Sequence, residues 1–282
     1  MRLVAPTAFK GTMSPLAAAR HLAAPGDRLL PLSDGGDGFL ECLHHALGGA
    51  LELLPAPDPF DRVRPVPVLR LPDGTVAIES ALVIGLAGLD RRDPLVASSR
   101  GLGLLLQNFQ NAARLWIGLG GSATVDGGRD WPALHLPPTT VFCDVTTDLA
   151  DAARIFGPQK GARPEDIPVL TERLTGLGLP SGPRTGAAGG LGAKLLSLGG
   201  ALVDGAEQML DVLGFVSACA GCAAVVTGEG RLDASSLEGK LPVVVARKAR
   251  NLGLRVHGHF GCRGQGWEDA AALFDEVRFE VE

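Results

Sequence analysis

The 282-residue chain is 46% apolar and 20% charged, with a formal net charge of −5, which excludes global disorder and gives no pull toward polyanions. No basic run or basic–aromatic stripe occurs, so nucleic acid is not an expected partner. No apolar run nears the roughly 18 residues of a membrane span, and Lys10 closely follows the short apolar start; neither a membrane nor an export signal is expected, and the cytoplasm is the expected compartment.

Arg2 to Ala5 reads as a strand ended by Pro6. Ser14-Pro15 supplies an N-cap and a first helical position for a helix from Leu16 to about Ala23. Leu29 to Leu32 is a second strand, broken by Ser33-Asp34-Gly35-Gly36-Asp37-Gly38, and Phe39 to Leu47 is a helix stopped by Gly48-Gly49. Two strand–loop–helix units in succession indicate a parallel α/β sheet.

The pattern changes beyond Asp61. Val63 to Leu71 and Thr75 to Ser80 flank Pro72-Asp73-Gly74, a hairpin signal. Ser98 and Ser99 can cap a helix to about Ala112; Leu115 to Leu119 and Val141 to Val145 read as strands, separated by the Pro-rich Trp131 to Pro138. Helices are expected from Leu149 to Phe156, Glu165 to Thr175, the glycine-rich Gly186–Gly192 through Ser197, and Gly205 to Leu213. Ala223 to Val226 is a very apolar strand, Lys240 to Asn251 a helix, and strands at Leu254 to Phe260 and Val277 to Val281 enclose a short helix. The expected architecture is two-domain α/β. A second, mixed α/β domain starts at about Asp61.

Ligands of open α/β sheets bind beyond the strand carboxyl ends. Three loops there combine glycine with carboxylates: Ser33–Gly38, Gly120–Gly128 and Thr227–Asp233. Glycine lets backbone amides approach an anion, and carboxylates beside a phosphate call for a metal between them, so the mixture suits Mg²⁺ with a nucleotide. Only five of 26 cationic residues are lysines, and Lys10, Lys160 and Lys240 each touch a glycine; a compact ammonium there suits phosphate. No P-loop or G-x-G-x-x-G fingerprint is present. The five cysteines, odd in number, fit a reducing compartment, and Cys219-Ala-Gly-Cys222 reads as part of a buried strand start.

These loops also carry a resemblance. Ala5-Pro6-Thr7-Ala8-Phe9-Lys10-Gly11, Ser33–Gly38, Glu79-Ser80-Ala81, Gly120–Gly128, Cys143-Asp144-Val145, Phe156–Ala162, Gly186–Gly192, Thr227–Asp233 and Gly239-Lys240 resemble, in order, the motifs of the bacterial glycerate kinase family. The chain departs from the family pattern at Thr7 and Ala8 (Asp and Ser), at Val125 (Asn) and near Thr147-Asp148 (Asn-Pro), and is shorter around Trp131–Pro138 and beyond Phe260. The resemblance implies two α/β domains around a cleft, a parallel α/β domain built from both chain ends (1–60 and 220–282) and an inserted mixed α/β domain (61–219), and ATP-dependent phosphorylation of D-glycerate at one hydroxyl, with ATP and Mg²⁺ as cofactors and glycerate as small-molecule partner; the chain is expected to be a monomer or homodimer. It implies Lys10, Asp34 and Asp126 as catalytic groups, with Asp34 and Asp126 open to either base or metal-ligand roles, and Asp34, Asp126 and Asp144 as metal candidates. Substrate or phosphate contacts are expected from Gly35, Gly36, Gly120, Gly121, Ser122, Ala123, Thr124, Lys160, Gly189, Gly190, Glu229, Arg231, Asp233 and Lys240. The alternatives are a kinase for a related small hydroxy acid and a non-catalytic binder of nucleotide or carboxylate.

Overall fold

A computed structural model describes residues 1–280, so the last two residues of the chain, including the end of the strand expected over 277–281, lie outside it. The chain divides into two units. The first opens with β1 (Arg2–Val4), α1 (Pro15–Leu22), β2 (Arg28–Leu29) and α2 (Phe39–Leu47). The second, Gly49–Gly205, holds β3 (Ala50–Pro57), β4 (Val63–Arg70), β5 (Thr75–Glu79), α3 (Ser80–Ile84), α4 (Arg100–Leu106), β6 (Arg114–Gly118), β7 (Thr139–Cys143), α5 (Ala152–Phe156), α6 (Asp166–Thr175), α7 (Ala187–Ser197) and β8 (Ala201–Asp204). The first unit resumes with α8 (Gly205–Val212), α9 (Phe215–Ala218), β9 (Ala224–Leu232), α10 (Leu241–Asn251), β10 (Arg255–Arg263), α11 (Trp267–Ala271) and β11 (Glu276–Phe279).

The first unit's sheet runs β11-β10-β9-β1-β2, and every pair in it is parallel. Strand β9, from the far end of the sequence, lies directly against β1 with Leu3 opposite Val225; Leu3, Val4, Val225 and Val226 are fully buried. Ser14 caps α1 as expected, its hydroxyl accepting from the Ala17 amide at 3.3 Å. Regular β2 is shorter than the expected Leu29–Leu32, but the Leu30 and Leu32 amides still bond the Val4 and Pro6 carbonyls, each at 2.9 Å.

One expectation is corrected here. Thr227–Asp233 reads from sequence as a glycine-rich loop, yet β9 continues through Leu232. Its partner β10 pairs along its full length, from Arg255 opposite Ala224 to Arg263 opposite Leu232. A Cβ at Gly228 would strike the His259 carbonyl, so this glycine serves close strand approach and not a turn.

The second unit's sheet runs β3-β4-β5-β6-β7-β8. β3, β4 and β5 are antiparallel neighbours, and β5 to β8 are parallel. The Pro72-Asp73-Gly74 hairpin is present, with the Asp73 carboxylate accepting from the Thr75 amide at 2.9 Å. β3, α3 and β8 have no counterpart in the sequence reading. The helix expected from Ser98/Ser99 to Ala112 is α4 followed by a 3₁₀ turn at Gln107–Phe109. The main core of this unit includes Val66, Ile78, Leu105, Ile117 and Val141, and a second cluster gathers Val125, Leu149, Ala152, Leu170 and Leu174. Among the described residues no helix is long and apolar enough to cross a membrane.

Candidate functional site

In the first unit all strands point one way, so their carboxyl ends share an edge. β1 leads into a loop that carries exposed Lys10. That loop lies against β9: the Thr7 amide donates to the Gly228 carbonyl at 2.9 Å, and a Cβ on Gly230 would stand 3.3 Å from the Lys10 amide nitrogen. A hollow of about 300 Å³ opens beside it, lined by Lys10, Thr12, Ser14, Asp37 and Gly38 among others. The Ser33–Gly38 turn follows β2. The Asp34 carboxylate accepts from the Gly36 amide at 3.2 Å, and the Ser33 hydroxyl donates to the Gly36 carbonyl at 3.1 Å. Gly38, at φ +83°, seats so closely on Pro15 that a Cβ would fall 2.5 Å from its ring.

Strand β9 carries Glu229 into the same edge. Its carboxylate accepts from the Ser236 hydroxyl at 3.1 Å and lies 3.9 Å from the Lys240 ammonium. Burial pushes its pKa up to about 7, against the pull of Lys240 and Ser236 and with help from the charges of Asp233 and Asp34. Asp233 pairs with Lys240 at 3.3 Å and with the Arg231 guanidinium at 3.0 Å. Although burial opposes it, hydrogen bonding from Ser235 and the Lys240 charge hold the Asp233 carboxyl below its ordinary range. Asp34, Glu229, Asp233 and Lys240 thus form one electrostatic group.

The second unit organises the Gly120–Gly128 loop from within. Lys160 is 3% exposed, and its ammonium donates to the Ser122 hydroxyl at 3.0 Å and the Thr124 carbonyl at 2.8 Å. Burial brings its pKa down to about 7, with Asp126 opposing. Asp126 is 1% exposed; one carboxylate oxygen accepts from the Ser99 amide and hydroxyl at 2.7 and 2.9 Å, and burial raises its pKa above the usual carboxylate range. The Trp131 indole fixes Ser99 in turn, donating to its hydroxyl at 2.8 Å.

Several expected site residues also hold the loop together. Lys160 and Asp126 are buried and face inward, where they brace it. The Ala123 amide donates to the Ile84 carbonyl at 2.8 Å. Gly189 and Gly190 serve packing: a Cβ on Gly189 would collide with the Thr124 carbonyl, and one on Gly190 would stand 3.1 Å from Gly127. Gly121 is exposed and adopts φ +64°, Gly120 is half-buried, and Asp144 is exposed just beyond β7. The buried Thr124 hydroxyl has no hydrogen-bond partner. Among the described residues no three His, Cys, Asp or Glu side chains are grouped so that they could hold a metal ion.

Sequence reasoning missed Ser99, Trp131 and Ser236. Ser99 was read as a helix cap, and its true partner is 27 residues away. Only the Asp233-x-x-Ser236 spacing, a capping box in the structure, offered a signal.

A parallel α/β unit whose strand-end loops gather a lysine, carboxylates and glycines, joined to a mixed α/β unit, defines a ligand-handling α/β protein. The chain belongs to the glycerate kinase family, whose model matches residues 2–131 and 132–278. It is 31% identical to a glycerate kinase of Halalkalibacterium halodurans over 94% of this chain and 86% of that one. It is 33% identical to the glycerate 2-kinase of Escherichia coli over 78% and 72% of the two chains. The crystal structure of a protein assigned as glycerate kinase 2 from Salmonella typhimurium superposes with a TM-score of 0.79 at 28% identity, covering 98% of this chain and 89% of that one.

Proposed function

We propose that the chain phosphorylates one hydroxyl of D-glycerate with ATP and Mg²⁺. The observation that carries this reading is the gathering of the Lys10 loop, the Ser33–Gly38 turn and Glu229, Asp233 and Lys240 at one edge of the parallel sheet. Family membership supplies the substrate class.

Phosphoryl transfer depends on positioning and charge neutralisation, with modest help for the attacking hydroxyl's proton. Lys10, exposed beside the hollow, holds the transferring phosphate or the substrate carboxylate as a point charge. Glu229 is the group best suited to take the hydroxyl proton: a pKa of about 7 leaves it half deprotonated near neutrality. Ser236 and Lys240 fix its orientation, and Asp233, itself paired with Arg231, holds Lys240 in place. Asp34 and Asp37, hard oxygen donors beside glycine amides, fit a magnesium–nucleotide complex. Such a complex supplies the phosphoryl group and neutralises its charge. Asp126 and Lys160 keep the Gly120–Gly128 loop in shape, with exposed Gly121 as its accessible backbone. All five cysteines are free thiols, which suits a reducing cytoplasm.

A coupled ADP-release assay across glycerate, lactate, tartronate and related hydroxy acids tests the reading. Turnover greatest with D-glycerate supports it. Nucleotide-dependent thermal stabilisation without ADP release from any acid would instead identify a binder that does not turn over.

A further inference from the structure

Lys10 stands at the tip of a closed turn. The Phe9 and Met13 amides each donate to the other's carbonyl at 3.0 Å, the Thr12 hydroxyl donates to the Phe9 carbonyl at 2.8 Å, and Gly11 adopts φ +82°. The helix that follows, α1, has every amide of its first turn occupied. Pro15 has no N–H, the Leu16 amide donates to one Glu41 carboxylate oxygen at 3.0 Å, and the Ala17 amide donates to the Ser14 hydroxyl at 3.3 Å. The Ala18 amide donates to the Ser14 carbonyl at 2.9 Å. The other Glu41 oxygen accepts from the Ser14 hydroxyl at 2.9 Å. Glu41 lies in the first turn of α2, so its carboxylate clamps the start of α1, and the Lys10 turn before it, to the Ser33–Gly38 turn.

We propose that the hollow beside Lys10 is the subsite of the hydroxy acid itself, with Lys10 taking its carboxylate, and that Glu41 is the positioning residue that shapes it. This assignment rests on the chain acting on a small hydroxy acid. A volume of about 300 Å³ lies at the lower end of small-molecule sites, room for a three-carbon acid and too little for a whole nucleotide. Among the described residues that line it, Lys10 is the only cation. With its amides occupied, the α1 terminus adds no anion donor, so the hollow offers one positive charge. That matches a monocarboxylate and falls short of a triphosphate. Asp37 lines the same hollow and brings acceptor oxygens for the acid's hydroxyls; one oxygen suffices, so a magnesium contact through the other is compatible. An acid without hydroxyls gives Asp37 no donor and a like charge to repel, which selects hydroxy acids over plain carboxylic acids. Glu41 acts through both walls. Its removal frees the Leu16 amide and the Ser14 hydroxyl as a competing seat for an anion and unpins the Lys10 turn from the Asp37 turn.

Initial rates with D-glycerate and ATP varied separately, together with thermal melts in D-glycerate, propionate or ADP, test the assignment. Glu41→Ala should raise the KM for D-glycerate roughly tenfold, with kcat within roughly threefold and the KM for ATP unchanged. The same variant should lose the thermal stabilisation given by D-glycerate and keep that given by ADP. Glu41→Gln, whose amide both accepts from Leu16 and donates to Ser14, should restore the wild-type KM, and propionate should stabilise neither protein. Where Glu41→Ala does not fold, Ser14→Ala should show the same split at smaller size. A folded variant with unchanged affinity for D-glycerate, or one whose KM for ATP rises as much, overturns the proposal, as does a wild type that D-glycerate does not stabilise. A wild type stabilised by D-glycerate in this Glu41-dependent way that releases no ADP leaves the subsite standing and refutes the kinase reading instead.

Discussion

Replacing Lys160 with Met should change how stability depends on pH, and the size of that change follows from the burial of its ammonium. At 3% exposure its pKa stands at about 7, against 10.5 for an unhindered lysine. Between those values the unfolded chain holds a proton that the folded chain lacks, so stability rises with pH by about 1.4 kcal/mol per unit. The lowered folded pKa makes this contribution complete above 10.5 and lost as pH falls to 7. From pH 7, where half of the folded molecules already lack the proton, to pH 9 the wild type should gain about 2 kcal/mol relative to Lys160→Met. Urea unfolding of both at pH 7, 8 and 9 reads the difference directly. A gap that stays constant over that window would refute the description of Lys160 as an inward-facing strut.

The other expectations concern the first unit and the loop packing. Lys10→Ala should remove ATP-dependent turnover while circular dichroism remains that of the wild type; near-normal turnover contradicts its role. Glu229→Gln should lower kcat roughly 100-fold and remove the rise in kcat that the wild type shows through pH 7, whereas a variant with an unchanged pH profile would assign the proton to another group. Because its folded pKa is raised, the contribution of Glu229 to stability is full below 4.5 and lost as pH rises through about 7, and the variant should lack that loss in urea melts. Gly189→Ala combines a φ of +71° with a Cβ directed into the Thr124 carbonyl, so it should destabilise by about 3 kcal/mol or more; an unchanged thermal midpoint would show that the loop can yield.

The elements legible in the sequence are those with local signals. The Ser14-Pro15 cap, the helix between Gly38 and Gly48 and the Pro72–Gly74 hairpin all announce themselves within a few residues. β3 did not, because Pro55 and Pro57 argue against a strand, and its edge position is what tolerates them. β9 was cut short because its glycines mimic a turn, when the demand for them comes from β10, some 30 residues further on. The site shows the same division. Lysines and carboxylates beside glycines were visible as candidates, but their orientation was not. Lys160 and Lys240 look alike in sequence, each next to a glycine, yet one is sealed inside the second unit and the other lies among carboxylates at a sheet edge. Burial is set by distant chain, Ser99 and Trp131 in the case of Asp126, and no local spacing encodes it.

The central claim is tested most directly by incubating the chain with ATP, Mg²⁺ and D-glycerate and following phosphorus NMR. A new phosphomonoester resonance matching 2- or 3-phosphoglycerate, growing as ADP appears, is the predicted result and also identifies the hydroxyl. ATP left unconsumed by protein that is folded and binds nucleotide would contradict the account.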